Sequence, residues 1–462
     1  MGDQKLGDNM KVEQFRKADV QKEVEKHADL MVDVFDYMWK NPELGWKEFK
    51  ANERMIAEFE KLGYKVERPE GVTGFWTTID TGRPGKTIAI LGELDSVMCA
   101  THPAADPVTG AVHACGHNAQ SASLLGIAAA LTNKELLKGL SGKIKLIAVP
   151  AEEGCEVAFR AGLIKEGKIS FASGKQEFIK RGVFDDVDIA YMNHASNKKD
   201  CDVFLNIGAN GVVRKSVTFK GKASHAGGAP HNGINALYAG SLALMAINSL
   251  RETFKEDEYI RIHPIITKGG DIVNTIPDEV RLESYVRGAN PEAIKKANDK
   301  VNRAIAGAAL AMGANANIID IAGSMPRNDS RALREVIYNV SVDLFGKDRV
   351  MTNDIWTTGS TDMGDVTAIM PAVHGYIAGA VGQSHGAEYH IPDSRRYCIN
   401  AATQQIRVAQ ELLKDDCALA EKVIAETPIA FPNIKEYLEF INSLMRNFTV
   451  LEYTDDGAKV TL

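Results

Sequence analysis

The sequence predicts an α/β protein in which a mixed-sheet unit is interrupted by a smaller α+β unit of ferredoxin-like order. Three observations carry this. Short β-rich runs alternate with helical stretches over residues 75–192. Near residue 210 the texture changes into a β-α-β-β-α-β series. After the segment Gly-Ser-Met-Pro-Arg-Asn-Asp at 323–329 the alternating pattern resumes, so the second unit reads as an insertion. At 462 residues the chain exceeds the size at which one core keeps growing, which also favours two domains. The expected division is 1–210 and 326–462 for the larger unit and 211–325 for the inserted one.

From the N-terminus, Val20, Val24, Leu30, Val34, Phe35 and Met38 lie at helical spacing over residues 19–40, and Asn41-Pro42 stops that helix. A second helix is expected over 47–62, before Gly63. Strands are expected at 75–80, 87–91, 143–149 and 187–192, with a helix at 121–131 between the second and third. The inserted unit opens on a partly alternating strand at 212–220 and continues with a small-residue helix at 235–250. Strands near 258–267 and 279–287, a helix at 291–312 and a strand at 316–321 complete it. No internal repeat or low-complexity segment is present.

Composition narrows the function. A net charge of −7 and a pI near 5.9 leave no basic footprint for nucleic acid or anionic membrane. Residues 1–10 are polar without an apolar signal core, and no run of about 20 apolar residues occurs, so a cytoplasmic protein is expected. Six cysteines without paired spacing argue for reduced thiols.

The chemistry concentrates in two segments. His-Ala-Cys-Gly-His-Asn at 113–118 places Cys115 and His117 two residues apart. In an extended segment both side chains would leave one face, roughly 6–7 Å apart at their α-carbons, near enough to serve one ion or a close pair. Glu152 and Glu153 follow an apolar strand and precede Gly154. Adjacent side chains there diverge, so one carboxylate is free to bind metal while the other handles protons. Glu93, Asp95 and His194 also fall where strands end, which is where open α/β sheets place ligands.

Taken in order, Leu-Gly-Glu-Leu-Asp at 91–95, Ala-Cys-Gly-His-Asn at 114–118, Ala-Glu-Glu-Gly at 151–154, His194, Ser-His-Ala at 224–226, Asn-Thr-Ile-Pro at 274–277 and His385 resemble the aminoacylase and carboxypeptidase-G-like metal amidohydrolases, peptidase family M-twenty. The resemblance spans about residues 20–415 and is closest to the Cys-Gly-His subgroup. Within that subgroup it is nearest to the p-aminobenzoyl-glutamate hydrolases and related dipeptidases.

It implies a metallopeptidase catalytic domain with an inserted lid and dimerisation domain, and two divalent ions per protomer, Zn or Mn with Co as an option. It further implies metal ligation by Cys115, His117, Glu153, His194 and His385, and Glu152 as general base acting on a metal-bound hydroxide. His225 would stabilise the oxyanion across a lid-mediated homodimer. Asn274 and Arg287 would hold the substrate carboxylate, and Asp95 would orient a ligand. The expected reaction is hydrolysis of the amide bond of an N-acyl amino acid or dipeptide-like small molecule, such as aminobenzoyl-glutamate. Deamination of a non-peptide C–N bond, or a silent member of a hetero-oligomer, are the alternatives.

The chain departs from the family at two positions. Many members have histidine at Glu93, and the Cys-Gly-His subgroup has aspartate both there and at Asn118. His390 competes with His385 as the last ligand; His385 is preferred because it follows the Gly-rich segment 378–384.

Overall fold

The computed structural model describes residues 19–454 and 456–462; the polar segment 1–10 lies outside them. Residues 19–26 are helical and continue, past a turn at His27, into α1 (Ala28–Lys40), followed by α2 (Phe49–Lys61). The central sheet is built from β1 (Phe75–Asp80), β2 (Thr87–Glu93), β3 (Lys143–Val149), β4 (Ile189–Ser196), β5 (Val203–Leu205), β11 (Val350–Thr352) and β12 (Ala372–Ala378). Its order is β1-β3-β2-β4-β12-β5-β11. The four inner strands β3, β2, β4 and β12 run parallel, while β1 and β5 are antiparallel to their inner neighbours, so the sheet is mixed.

The inner strands alternate between two cores. Ile88, Ile90, Ile144, Leu146 and Tyr191 pack with α1, α3 (His117–Ala130), α8 (Arg331–Phe345) and α9 (Ser394–Leu413) on one face. Ala89, Leu91, Ile147, Val149 and Met192 pack with Phe178 of α5 (Gly174–Lys180) and Tyr437 of α10 (Ile434–Ser443) on the other. Burial on both faces explains why these strands read as continuous apolar runs. Every residue of α3 is buried. At Gly126 a Cβ would collide with the Met31 side chain, so any larger residue there would force that side chain on α1 to shift.

The inserted unit has β6 (Gly211–Lys220), α6 (Ala236–Ser249), β7 (Arg261–Ile262), β8 (Ile265–Lys268), β9 (Glu279–Gly288), α7 (Pro291–Met312) and β10 (Asn315–Ser324). β6 pairs antiparallel with both β9 and β10, and α6 and α7 cover one face. This is the ferredoxin-like arrangement. The other face meets the larger unit, where Ile321 packs against Ala172 and against Val157 of α4 (Val157–Lys165).

The chain end departs from the expected division, which placed all of 326–462 in the larger unit. β13 (Arg446–Thr454) pairs antiparallel with β10, and β14 (Gly457–Val460) pairs with β13, so both extend the inserted sheet. The reason is burial and charge: Val450 and Leu451 are fully buried in the core of that unit, and Arg446 Nη2 lies 3.2 Å from Asp320 on β10. The helix expected at 121–131 also begins earlier, at His117.

Candidate metal centre and the cleft beside it

The C-terminal ends of the parallel strands converge on one place. β2 ends at Glu93, β3 leads into Glu152 and Glu153, β4 carries His194, and the segment after β12 carries His385. The Cys115–His117 segment differs from the extended geometry expected. Gly116 is left-handed (φ 95°) and caps α3, so the two side chains are brought together by a turn into a helix.

Cys115, His117 and His194 form one group whose candidate ligand atoms lie within 4.8 Å of one another, and Cys115, Glu153 and His385 form a second. The shared thiol is 3.2 Å from His194 Nε2 and 3.4 Å from His385 Nε2, and Glu153 Oε1 is 3.0 Å from His385 Nε2. Glu152 belongs to a third group with Glu93 and His117. The two adjacent carboxylates therefore face different parts of the centre. His390 takes no part; it is exposed and its Nδ1 faces the Glu388 carbonyl.

Neighbouring groups fix the tautomers. His117 Nδ1 lies 2.9 Å from the Asp95 carbonyl, which can only accept, so Nδ1 carries the proton and Nε2 is left for an ion. His194 is held the same way by the Ala195 carbonyl at 2.9 Å. Asp95 also accepts from the Glu153 N–H at 2.9 Å, tying a ligand loop to a ligand helix. Ala151 is in the left-handed region (φ 53°) and its N–H donates to the buried Glu48. Arg160 donates to the carbonyls of Ala151, Ala172 and Glu153, holding this strained turn in place.

Electrostatics agree with ion binding. Burial and the Glu153 charge push the Cys115 thiol up, but the imidazoles of His194 and His117 outweigh them and hold it at about 6. Hydrogen bonds to Cys115 and Glu153 lift His385 to about 11. Burial, then the charges of Glu93, Glu153 and Asp362, raise Glu152 well above the usual carboxylate range. Thiolate, imidazole and carboxylate donors in this density fit borderline divalent ions, and the buried His117 Nε2 makes no hydrogen bond although Glu93 lies 3.1 Å from it.

Beside the centre opens a cleft of about 510 Å³ lined by Cys115, Glu152, Phe204, Arg327, Ser360 and His374 among others. Its far wall went unnoticed in the sequence. His374 stacks on His194 with ring centroids 5.4 Å apart. Arg327 is held by Asp329 at 3.3 Å and by the hydroxyl of Tyr376 at 3.4 Å. A regular period-two pattern along β12 places His374 and Tyr376 on one face, the only signal that pointed to them. Lys175 was also missed. Fully buried, its Nζ lies 2.5 Å from both Glu93 and Asp362, while the other oxygen of Glu93 is 3.1 Å from His117 Nε2.

Glu93, left open by the sequence, is thus the link between a buried lysine and a candidate ligand. Asn118 turns away from the centre, its amide facing the Phe35 carbonyl at 3.4 Å.

Residues 89–414 match the model of peptidase family M20/M25/M40. The chain belongs to this family. It is therefore a metal-dependent enzyme of the amidohydrolase and peptidase kind. Among curated relatives it is 27% identical to the Xaa-Arg dipeptidase of Mus musculus, over 76% of this chain and 77% of that one. It is 30% identical to a p-aminobenzoyl-glutamate hydrolase chain of Escherichia coli (strain K12), over 62% of this chain and 56% of that one. Among solved structures it shares its fold with an aminobenzoyl-glutamate utilization protein from Klebsiella pneumoniae, with TM-score 0.65, 20% identity, and coverage of 86% of this chain and 99% of that one. A Bacillus subtilis dinuclear metal-binding peptidase of the M20 family superposes with TM-score 0.61 at 19% identity, covering 84% and 99%.

The remaining site residues fall on the inserted unit, in two places. His225 and Asn274 lie together at one end of its sheet. His225 bridges to Thr275, and the Asn274 carbonyl accepts from Ala226. Neither lines the cleft. Arg287 instead faces the larger unit, with Nη1 donating to the Thr358 carbonyl at 3.3 Å. The structure thus separates Asn274 from Arg287 within one chain.

Proposed function

We propose that this protein hydrolyses the amide bond of an N-acyl amino acid or dipeptide-like substrate, such as aminobenzoyl-glutamate, with Glu152 as general base. One observation carries the reading: Cys115, His117, Glu153, His194 and His385 meet in two groups sharing one thiol, with the half-buried carboxyl of Glu152, raised above the usual carboxylate range, lining the cleft beside them. When bound, two divalent ions, Zn or Mn with Co as an option, would acidify a water and polarise the scissile carbonyl. Glu152 would take that water's proton and deliver it to the leaving amine. Glu153 and His385 would hold one ion, His117 and His194 the other, and Cys115 would serve both. Asp95 fixes the His117 tautomer and the Glu153 backbone, a positioning role.

Arg287 would anchor the substrate carboxylate through its guanidinium fork. Asn274 and His225 would act from the lid of a second copy. His225 Nδ1 accepts from the N–H groups of Gly227 and Gly228, so its remaining proton sits on Nε2, which is the tautomer an oxyanion donor needs. Tyr238 and Met245 on α6 and Ile265 on β8 are 60%, 69% and 62% exposed, offering an apolar face for the homodimer. Residues 1–210 with 326–445 would form the catalytic domain, and 211–325 with the last two strands the lid. Among the described residues no helix is long and apolar enough to cross a membrane; a cytoplasmic location is part of the proposal.

The test is hydrolysis of N-acyl amino acids and dipeptides by metal-loaded protein and by Glu152→Gln. A variant with full metal and full activity defeats the base assignment.

A further inference from the structure

The turn after β3 carries Glu152 and Glu153 on adjacent residues, so its peptide planes set the aim of two carboxylates at once. The larger unit grips its entrance. Ala151 N–H donates to Glu48 at 2.7 Å, Glu153 N–H donates to Asp95 at 2.9 Å, and Arg160 donates to the carbonyls of Ala151 and Glu153. The exit is held from the other side. Among the described residues the hydrogen-bond partner of the Gly154 carbonyl is Tyr285, on β9 of the inserted unit, whose hydroxyl donates at 3.0 Å.

Tyr285 is set there by its neighbours. It stands opposite Arg214 in the register of β6 and β9, on the sheet face turned to the larger unit. Arg214 donates to Ser173 Oγ at 3.3 and 3.4 Å, and Ser173 precedes α5, whose Gly174 N–H donates to the Ala151 carbonyl at 3.3 Å. The guanidinium carbon of Arg287 lies 5.5 Å from the Tyr285 ring centroid, and the His263 ring meets it in a T-shape at 5.7 Å. The contact with the turn has no slack. A Cβ on Gly154 would lie 2.9 Å from the Tyr285 hydroxyl and 3.3 Å from Arg214 Nε. Gly154 is outside the left-handed region, so space rather than backbone conformation calls for glycine here. Tyr285 does not line the cleft.

We propose that Tyr285 is a positioning residue for catalysis, through which the inserted unit fixes the turn that carries the base and a metal ligand. This rests on the amidohydrolase reading and deepens it. Without the hydroxyl the peptide plane after Gly154 is free to rotate, and that rotation swings Glu153 and, through it, Glu152 off their aim. A misplacement of about 1 Å costs about a hundredfold in rate. Turnover therefore depends on the seating of the inserted unit against this turn, although Tyr285 itself stays out of the cleft.

The experiment uses full-length wild type, Tyr285→Phe, Gly154→Ala and the double variant. Hydrolysis of aminobenzoyl-glutamate and of a dipeptide panel is measured after metal loading, and Mn²⁺ is titrated calorimetrically into the metal-free proteins. Tyr285→Phe should lower kcat by about tenfold to a hundredfold with KM within about twofold, and should weaken one of the two Mn²⁺ affinities by about tenfold, because Glu153 belongs to one candidate ligand group. Gly154→Ala should lower kcat by about a hundredfold. Adding Tyr285→Phe to it should recover kcat by about threefold or more, since the oxygen that the new methyl meets is gone. Wild-type kcat and wild-type Mn²⁺ affinities in Tyr285→Phe, a rise in KM alone, or a double variant no better than Gly154→Ala overturns the positioning role. If wild type cleaves none of the amides, the hydrolase reading fails, while the Mn²⁺ titration of Tyr285→Phe still decides whether the hydroxyl positions Glu153. Should Gly154→Ala not fold, the kcat, KM and Mn²⁺ affinities of Tyr285→Phe decide.

Discussion

Replacing Lys175 by methionine tests a buried arrangement of one cation between two carboxylates. Its ammonium is fully buried between Glu93 and Asp362, and its backbone N–H also donates to Asp362 at 3.0 Å. Methionine fills similar volume but leaves two carboxylates without their cation. Removing one partner of a buried ion pair costs about 3–5 kcal/mol. At roughly 2 °C per kcal/mol for a large domain, the melting temperature should fall by about 6–10 °C, read by calorimetry at pH 7.5. Acid should relieve the loss. Without Lys175 both carboxyls have folded-state pKa values raised above their unfolded values near 4, a penalty present above those values and removed as pH falls and they protonate. The difference from wild type should therefore shrink between pH 7.5 and 5. Adding Asp362→Asn should recover part of it, because one of the stranded charges is gone. A melting temperature within 2 °C of wild type, or a gap that widens in acid, would refute the reasoning.

Glu152→Gln should reduce turnover by about a hundredfold to ten-thousandfold while metal content by elemental analysis stays at wild-type level. Cys115→Ala should lower occupancy of both ions, since the thiol belongs to both groups; two full equivalents retained would contradict its shared role. In metal-free protein, burial raises Glu153 but the His385 contact outweighs it and holds it at about 2, and His385 is lifted to about 11. The Glu153 contribution to stability is present above about 4.3 and lost as pH falls towards 2, and the His385 contribution is present below about 6.5 and lost as pH rises towards 11. His385→Gln should thus destabilise the metal-free protein most near pH 5–6 and less at pH 9.5, and urea unfolding with equal losses at both would count against the pair.

The order of short motifs carried the family and the residues of the centre, because each ligand sits at a strand end or helix start that local pattern marks. Local geometry was less legible. Cys115 and His117 meet through a left-handed glycine and a helix start, which an alternating-strand argument does not foresee. Lys175 was invisible because its partners lie 82 and 187 residues away. Arg214 reads as one more charge on a half-exposed strand until the larger unit covers that face. Arg287 and Asn274 are expected to share one role yet point to different places, since β9 carries one to the face turned to the larger unit while the loop before it carries the other to the sheet end.

The closing strands of the chain have a practical corollary. A fragment ending at 325 would leave β10, ten residues long, with one bare rim of unpaired amides and carbonyls. Such a rim is a template for foreign strands, and the fragment would be expected to clump. Residues 446–460 act as the selvage of that fabric, woven in last so that the sheet cannot unravel onto its neighbours.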